Sequence, residues 1–144
     1  MQPNQAVVPV IHNTRLNNGT AACQVIDLLG HNQCTIYFQA GSTDVAATAF
    51  KLTESDTKAS ATSLTSAADI TGLAFTTFAA TSDHTIWAFS FPTAGRKRYV
   101  LPVLTVGNLT GVDISAMAVF HNSDVTTPTA TGLGLAGLAV LPTT

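Results

Sequence analysis

Apolar and polar positions along this 144-residue chain alternate in short runs, and almost nothing repeats with helical period. β-Branched and aromatic residues gather into segments broken by Gly, Asn, Asp or Pro about every ten residues, the pattern of a sandwich or barrel. Residues 48–54 show it best: Ala49, Lys51 and Thr53 face one way, Phe50 and Leu52 the other. The turn Asn17-Asn18-Gly19 admits positive φ and leads into a strand over residues 21–29. Leu29-Gly30-His31-Asn32 then predicts a hairpin onto residues 35–39. Further strands are predicted over 73–78, 85–91, 98–106 and 115–120, while the Ser-, Thr- and Ala-rich residues 55–70 read as a loop with at most one short turn of helix.

About seven strands, or eight with part of an N-terminal arm, are buried most economically as two packed antiparallel sheets. The expected fold is therefore an all-β antiparallel β-sandwich over residues 19–122, with an N-terminal arm at 1–18 and a C-terminal tail at 123–144. Pro102 interrupts a predicted strand; it has no N–H for the ladder, so that strand lies at an edge or is bulged. In the arm, Pro3 and Pro9 surround the apolar pair Val7-Val8. Residues 126–131 form a low-complexity spacer, and 132–141 are small and apolar. That tract is either a last core strand or a tail docked on a neighbour, because a greasy, glycine-rich end is costly to leave in water.

Composition sharpens this. Only 10% of residues are charged, against about 25% in an ordinary soluble domain. Thr, Ser, Ala and Asn must cover the surface instead, which suits contact with other protein. Net charge is −2, with no basic field for a polyphosphate backbone, so nucleic acid is not an expected partner. The one basic cluster, Arg96-Lys97-Arg98, flanks a predicted strand. The longest mostly apolar tract is about half a membrane span and no secretory signal is visible, so no membrane partner is expected and synthesis is expected in the cytoplasm. Cys23 and Cys34 then read as free thiols.

Candidate chemistry is sparse. His12, His31, His84 and His121 are far apart, with no pair at metal-ligand spacing. Ser82-Asp83-His84 has the letters of a triad, but adjacent residues cannot take its geometry. Glu54 and Asp56 share a face of an extended segment, either as an acid/base pair or as a solvated strand end. Trp87, Phe89 and Phe91 make an aromatic stripe, either core or a sugar platform. No catalytic residue, cofactor or metal ligand is expected.

Four segments carry a resemblance. They are Val25-Ile26-Asp27-Leu28 with Gly30; Thr35-Ile36-Tyr37-Phe38 ending at Gly41; Phe50-Lys51-Leu52-Thr53-Glu54-Ser55-Asp56; and Gly95-Arg96-Lys97-Arg98-Tyr99-Val100 running into Leu104-Thr105-Val106. In this order the chain resembles the capsid cement or decoration proteins of tailed phages, which are small jelly-roll head proteins. The resemblance covers roughly residues 20–121. It implies a jelly-roll-like sandwich in which Asp27 and Arg98 pair or cap a turn and Tyr99 packs. It also implies a non-enzymatic virion protein on the capsid surface, partnered by the major capsid protein and by itself as a dimer or trimer. Leu101-Pro102 stands where the family often has a second basic residue. Composition adds the expected contact residues: Val7, Val8, Val10 and Ile11 in the arm, and Leu133, Leu135, Leu138, Val140 and Leu141 in the tail. The alternatives are another virion component, such as a head fibre base or tail protein, and a carbohydrate-binding module, which requires an exposed Trp87.

Overall fold

The computed structural model describes residues 6–107, 111–121 and 137–141. They form strands only: β1 (Ala6–Leu16), β2 (Gly19–Thr20), β3 (Ile26–Asp27), β4 (Gln33–Thr43), β5 (Ala47–Ser55), β6 (Lys58–Ser60), β7 (Ser63–Leu64), β8 (Ala68–Ala74), β9 (Ile86–Pro92), β10 (Tyr99–Val106), β11 (Val112–His121) and β12 (Gly137–Val140). One sheet has the order β1-β11-β4-β9-β12; the other has β2-β10-β5-β8, with β3 also on β10, and β6 and β7 make a separate small hairpin. All pairings are antiparallel except β12 on β9. The expected all-β antiparallel sandwich is what the chain forms.

The core lies where the inward rows of the two sheets meet. β10 alternates half-buried and buried residues along its whole length, so Val100, Leu104 and Val106 point inward. Across from them β4 contributes Cys34, Ile36, Phe38 and Ala40, and β9 contributes Trp87, Phe89 and Phe91. Phe50 stands at the centre. The rings of Phe38, Phe75, Phe89, Phe78 and Trp87 lie 5.0, 5.2, 5.3, 5.6 and 6.0 Å from it, mostly edge-on. That arrangement suits ring quadrupoles better than face-to-face stacking.

Four expectations need correction. Residues 6–16 are not an arm outside the sandwich: β1 pairs with β11 along this stretch, and Val10 is fully buried. Two register shifts near Ile11 bend this edge strand, and the Val10 carbonyl turns to accept from Gln24 N at 2.7 Å. Residues 21–29 are not one strand, because their N–H groups go to three places: Ala21 to Leu104 O, Gln24 to Val10 O and Val25 to Ala61 O. The turn at Leu29-Gly30 forms, with Gly30 at φ 84°, but it carries the chain from one sheet to the other rather than closing a hairpin. Cys34 consequently faces Phe91 and Phe120. Finally, residues 55–70 hold the β6–β7 hairpin and the start of β8 instead of a helical turn. There Ser55 Oγ accepts from Thr57 N and donates to Thr65 O, so hydroxyls satisfy the turn that a helix would otherwise have made.

Pro102 is not bulged, but it does lie at a local edge of β10. β10 pairs with β5 throughout, while its other side meets β3 only at 99–100 and β2 only at 105–106. Arg98 O and Leu104 O accept from that second side, so by alternation Pro102 turns its missing donor into the interval between β2 and β3. Both cysteines are free and buried, and burial alone pushes each thiol up to about 12.

The last short strand enters through a glycine. Gly137 pairs with Trp87, and a Cβ at 137 would sit 2.5 Å from the indole Cε3, so no larger residue fits without displacing the ring. Phe50→Ala is expected to cost about 3–5 kcal/mol, a large part of a small domain's total stability. Urea unfolding with an unchanged midpoint would show that Phe50 is not the centre of the core.

Candidate functional site

The groups that sequence alone offered as chemistry are used up in turns and ties. Asp83 Oδ1 accepts from Thr43 N at 2.6 Å and Thr43 Oγ1 at 2.9 Å, which holds its carboxyl below the usual carboxylate range. His84 takes a positive φ of 55° and donates its N–H to Gly41 O. Ser82 Oγ accepts from Ala79 N. These three residues close a loop onto β4 and do not converge on one another. Glu54 accepts from Lys97 N at 3.1 Å and pairs with Arg96 at 3.5 Å, while Asp56 accepts from Arg98 N. They anchor the basic cluster at the start of β10, and no acid/base pair is assembled. Among the described residues no group of three or more His, Cys, Asp or Glu is placed to hold a metal ion. Trp87 is 3% exposed and donates Nε1–H to Thr85 Oγ1 at 2.9 Å, so the sugar platform imagined on this ring does not exist.

Asp27 and Arg98 both pair and cap. Arg98 Nη2 reaches Asp27 Oδ2 at 2.8 Å and its Nε spans both carboxylate oxygens, while Asp27 Oδ1 also accepts from Leu29 N at 3.0 Å. The Arg98 guanidinium lies 4.9 Å from the centre of the Tyr99 ring. This hydrogen bond to Arg98, aided by the Leu29 N–H, holds the Asp27 carboxyl below its ordinary value. A second cluster joins Arg15 to Asp44 at 2.7 Å and Asp113 at 3.2 Å, and these hydrogen bonds raise the Arg15 pKa.

What stands out is the outward face of the β1-β11-β4-β9-β12 sheet. An outward face open to water should carry polar residues. Here the register aligns Pro9, Met117, Tyr37, Ala88 and Leu138 in one row across all five strands. The next row holds Val7, Val119, Thr35, Ser90 and Val140. Of the four exposed large hydrophobics among the described residues, three are on this face: Val7 at 61%, Met117 at 49% and Ile86 at 39%. They border a groove of about 550 Å³ floored by Tyr37 and Ala116, with no Asp, Glu, Lys or Arg in its lining. At one end the groove continues into a more polar depression of about 390 Å³, lined by Asn13, Gln39, His84, Asp113 and Ser115. Lower on the face, Gln33 Nε2 and Thr35 Oγ1 meet the buried Ser90 Oγ at 3.2 and 3.0 Å, so polar groups there are satisfied internally.

The expected contact residues divide three ways. Val7, Leu138 and Val140 fall on this outward face. Val10 is fully buried; Ile11 is buried in the core but also lines the groove; Val8 and Leu141, the latter beside Gly72, are half-buried and pack against the core. Alternation explains the split: strand residues one apart point to opposite faces, and a tract read as an arm hides that parity. Leu133, Leu135 and the 126–131 spacer lie outside the described residues. Sequence reasoning missed Tyr37, Ile86 and Met117. For Tyr37 and Met117 the signal was present: each sits between inward apolar residues, where a one-sided strand should be polar.

Because the Asp27 carboxyl is depressed in the folded state, its ionic contribution is complete above the ordinary value of 3.8 and lost as pH falls through the lower folded value. Asp27→Asn keeps the turn's acceptor and removes the charge. It should cost about 0.5–1 kcal/mol at neutral pH, as a half-exposed bidentate pair does, and the gap to wild type should close in acid. Thermal melts showing the same gap at both extremes would contradict this. Compared with known proteins, the chain matches no family model, and no curated protein or solved structure is significantly similar to it.

Proposed function

We propose that this chain is a structural virion protein that binds the outside of a tailed-phage capsid and cements neighbouring capsomers. The observation that carries this reading is the exposed apolar patch of Val7, Ile86 and Met117 around a groove without Asp, Glu, Lys or Arg on the outward sheet face. Such a patch is costly in water and marks a protein contact. The spare chemistry of the surface agrees. Of the six Lys and Arg residues, Arg15, Lys51, Arg96 and Arg98 are engaged in ion pairs within the chain.

The strand order also fits. We read β1-β11-β4-β9 facing β3-β10-β5-β8 as a jelly-roll wrapping, since successive strands pass repeatedly from one sheet to the other. That is the fold implied by the resemblance to cement and decoration proteins. A rigid sandwich loses little conformational freedom on docking, so a modest contact adds net stability to a shell seam. Repetition over fixed sites multiplies that gain. The partners on this reading are the major capsid protein and further copies of the chain, with no catalytic step.

Co-sedimentation with mature capsids stripped of this protein tests the proposal. Saturable binding at hundreds of copies per particle is the expected outcome. Binding at a few copies would move the chain to a vertex or the tail, and no binding would remove the capsid reading.

A further inference from the structure

We infer that the outward groove takes an extended, uncharged segment of the partner chain, laid across the strands rather than alongside them. This deepens the shell-binding reading and rests on it. The groove runs over β1, β11, β4 and β9, which is three strand spacings or about 14 Å, the reach of roughly four or five extended residues. Its floor is Tyr37 and its walls are Val7, Ile86 and Met117, side chains of different shape with an adaptable thioether among them. A flat sheet face from a second copy would bridge the walls and leave the groove unfilled.

The chemistry of the occupant follows from the lining. A charged side chain entering would lose its hydration without meeting an unpaired Asp, Glu, Lys or Arg, because Asp113, which lines the polar end, is already paired with Arg15. A chain crossing the sheet cannot join its ladder, since the strands beneath are already paired on both sides at β11 and β4. Its backbone N–H and C=O groups then need side-chain partners. Asn13, Gln39 and Ser115 supply both donors and acceptors there, and their side chains make no hydrogen bond among the described residues. A glycan is the poorer fit. Sugars favour flat aromatic platforms, and the rings in this lining are one phenol, Tyr37, and one imidazole, His12, among aliphatic and polar side chains.

The test is an NMR titration of the isotopically labelled protein with three sets of probes. These are blocked peptides of about nine residues built from Leu, Ala, Thr and Pro; the same peptides with Lys or Glu for Thr; and neutral tetrasaccharides. Uncharged peptides should move the amides of residues 37–39, 86 and 115–117 saturably, and the charged set should bind at least about tenfold more weakly. Met117→Asp should weaken binding about tenfold or more while keeping a dispersed spectrum, as its half-exposed site permits, and Ile86→Thr should weaken it by a smaller factor. The inference fails if no uncharged peptide binds, if Met117→Asp binds as well as wild type, or if a tetrasaccharide occupies the groove instead. Capsid binding separates the two levels. Wild type and Met117→Asp pelleting equally with capsids would sink the groove and leave the shell reading; failure of wild type to pellet would sink the shell reading itself.

Discussion

The packing of Phe50 against rings from both sheets is the contact on which the rest of this fold depends. Phe50 belongs to β5, Phe38 to β4, and Trp87 and Phe89 to β9, so one side chain ties together the central strands of the two layers. Burial of aromatic surface is non-directional in free energy but specific in geometry, and edge-on contacts near 5 Å fix the sheets at one separation and register. β12 completes the aromatic cluster rather than creating it. Its Gly137 slides against Trp87 and Phe75, and it could not enter with a larger residue.

With apolar binding concentrated inside, the few charges are free to act as ties between strands. Lys51 links β5 to Asp69 on β8, Arg15 links β1 to Asp113 on β11, and Arg98 links β10 to Asp27 on β3. Each is exposed enough to contribute little alone. Their effect is on position: none lies in the groove on the outward face of the β1-β11-β4-β9-β12 sheet, and that groove is left without formal charge. The same distribution that makes the chain look dry in composition therefore produces a neutral face. A face of this kind attracts no counter-ions, so association through it should depend weakly on salt.

Much of the fold was legible because β alternation is a local property. Phe50 and Leu52 against Lys51 could be assigned to inside and outside from spacing alone, and Asp27 with Arg98 from a motif. The errors arose where the partner of a backbone group lies far along the chain. Nothing in Val25-Ile26-Asp27 says that the segment joins β10 and not β4, because both are apolar and both lie one turn away in space. The arm around Val10 looked free for the same reason: its partner, β11, is a hundred residues later. The outward band was visible only as excess hydrophobicity, since Tyr37, Ile86 and Met117 come from three strands and meet solely through register. Trp87 shows the converse, a residue whose letter suggested recognition and whose neighbours make it core.

Oxidation of Met117 offers the most direct measure of whether the outward face is a docking surface. Met1 is the only other methionine, and Met117 is 49% exposed in the isolated chain. Dilute peroxide should convert it readily to the sulfoxide in free protein, with the extent read by peptide mass spectrometry. On shells carrying the protein, the rate at Met117 should fall by about tenfold or more if the band is covered. Equal rates in the free and shell-bound protein would show that this face stays open to water and that the shell is held by some other surface.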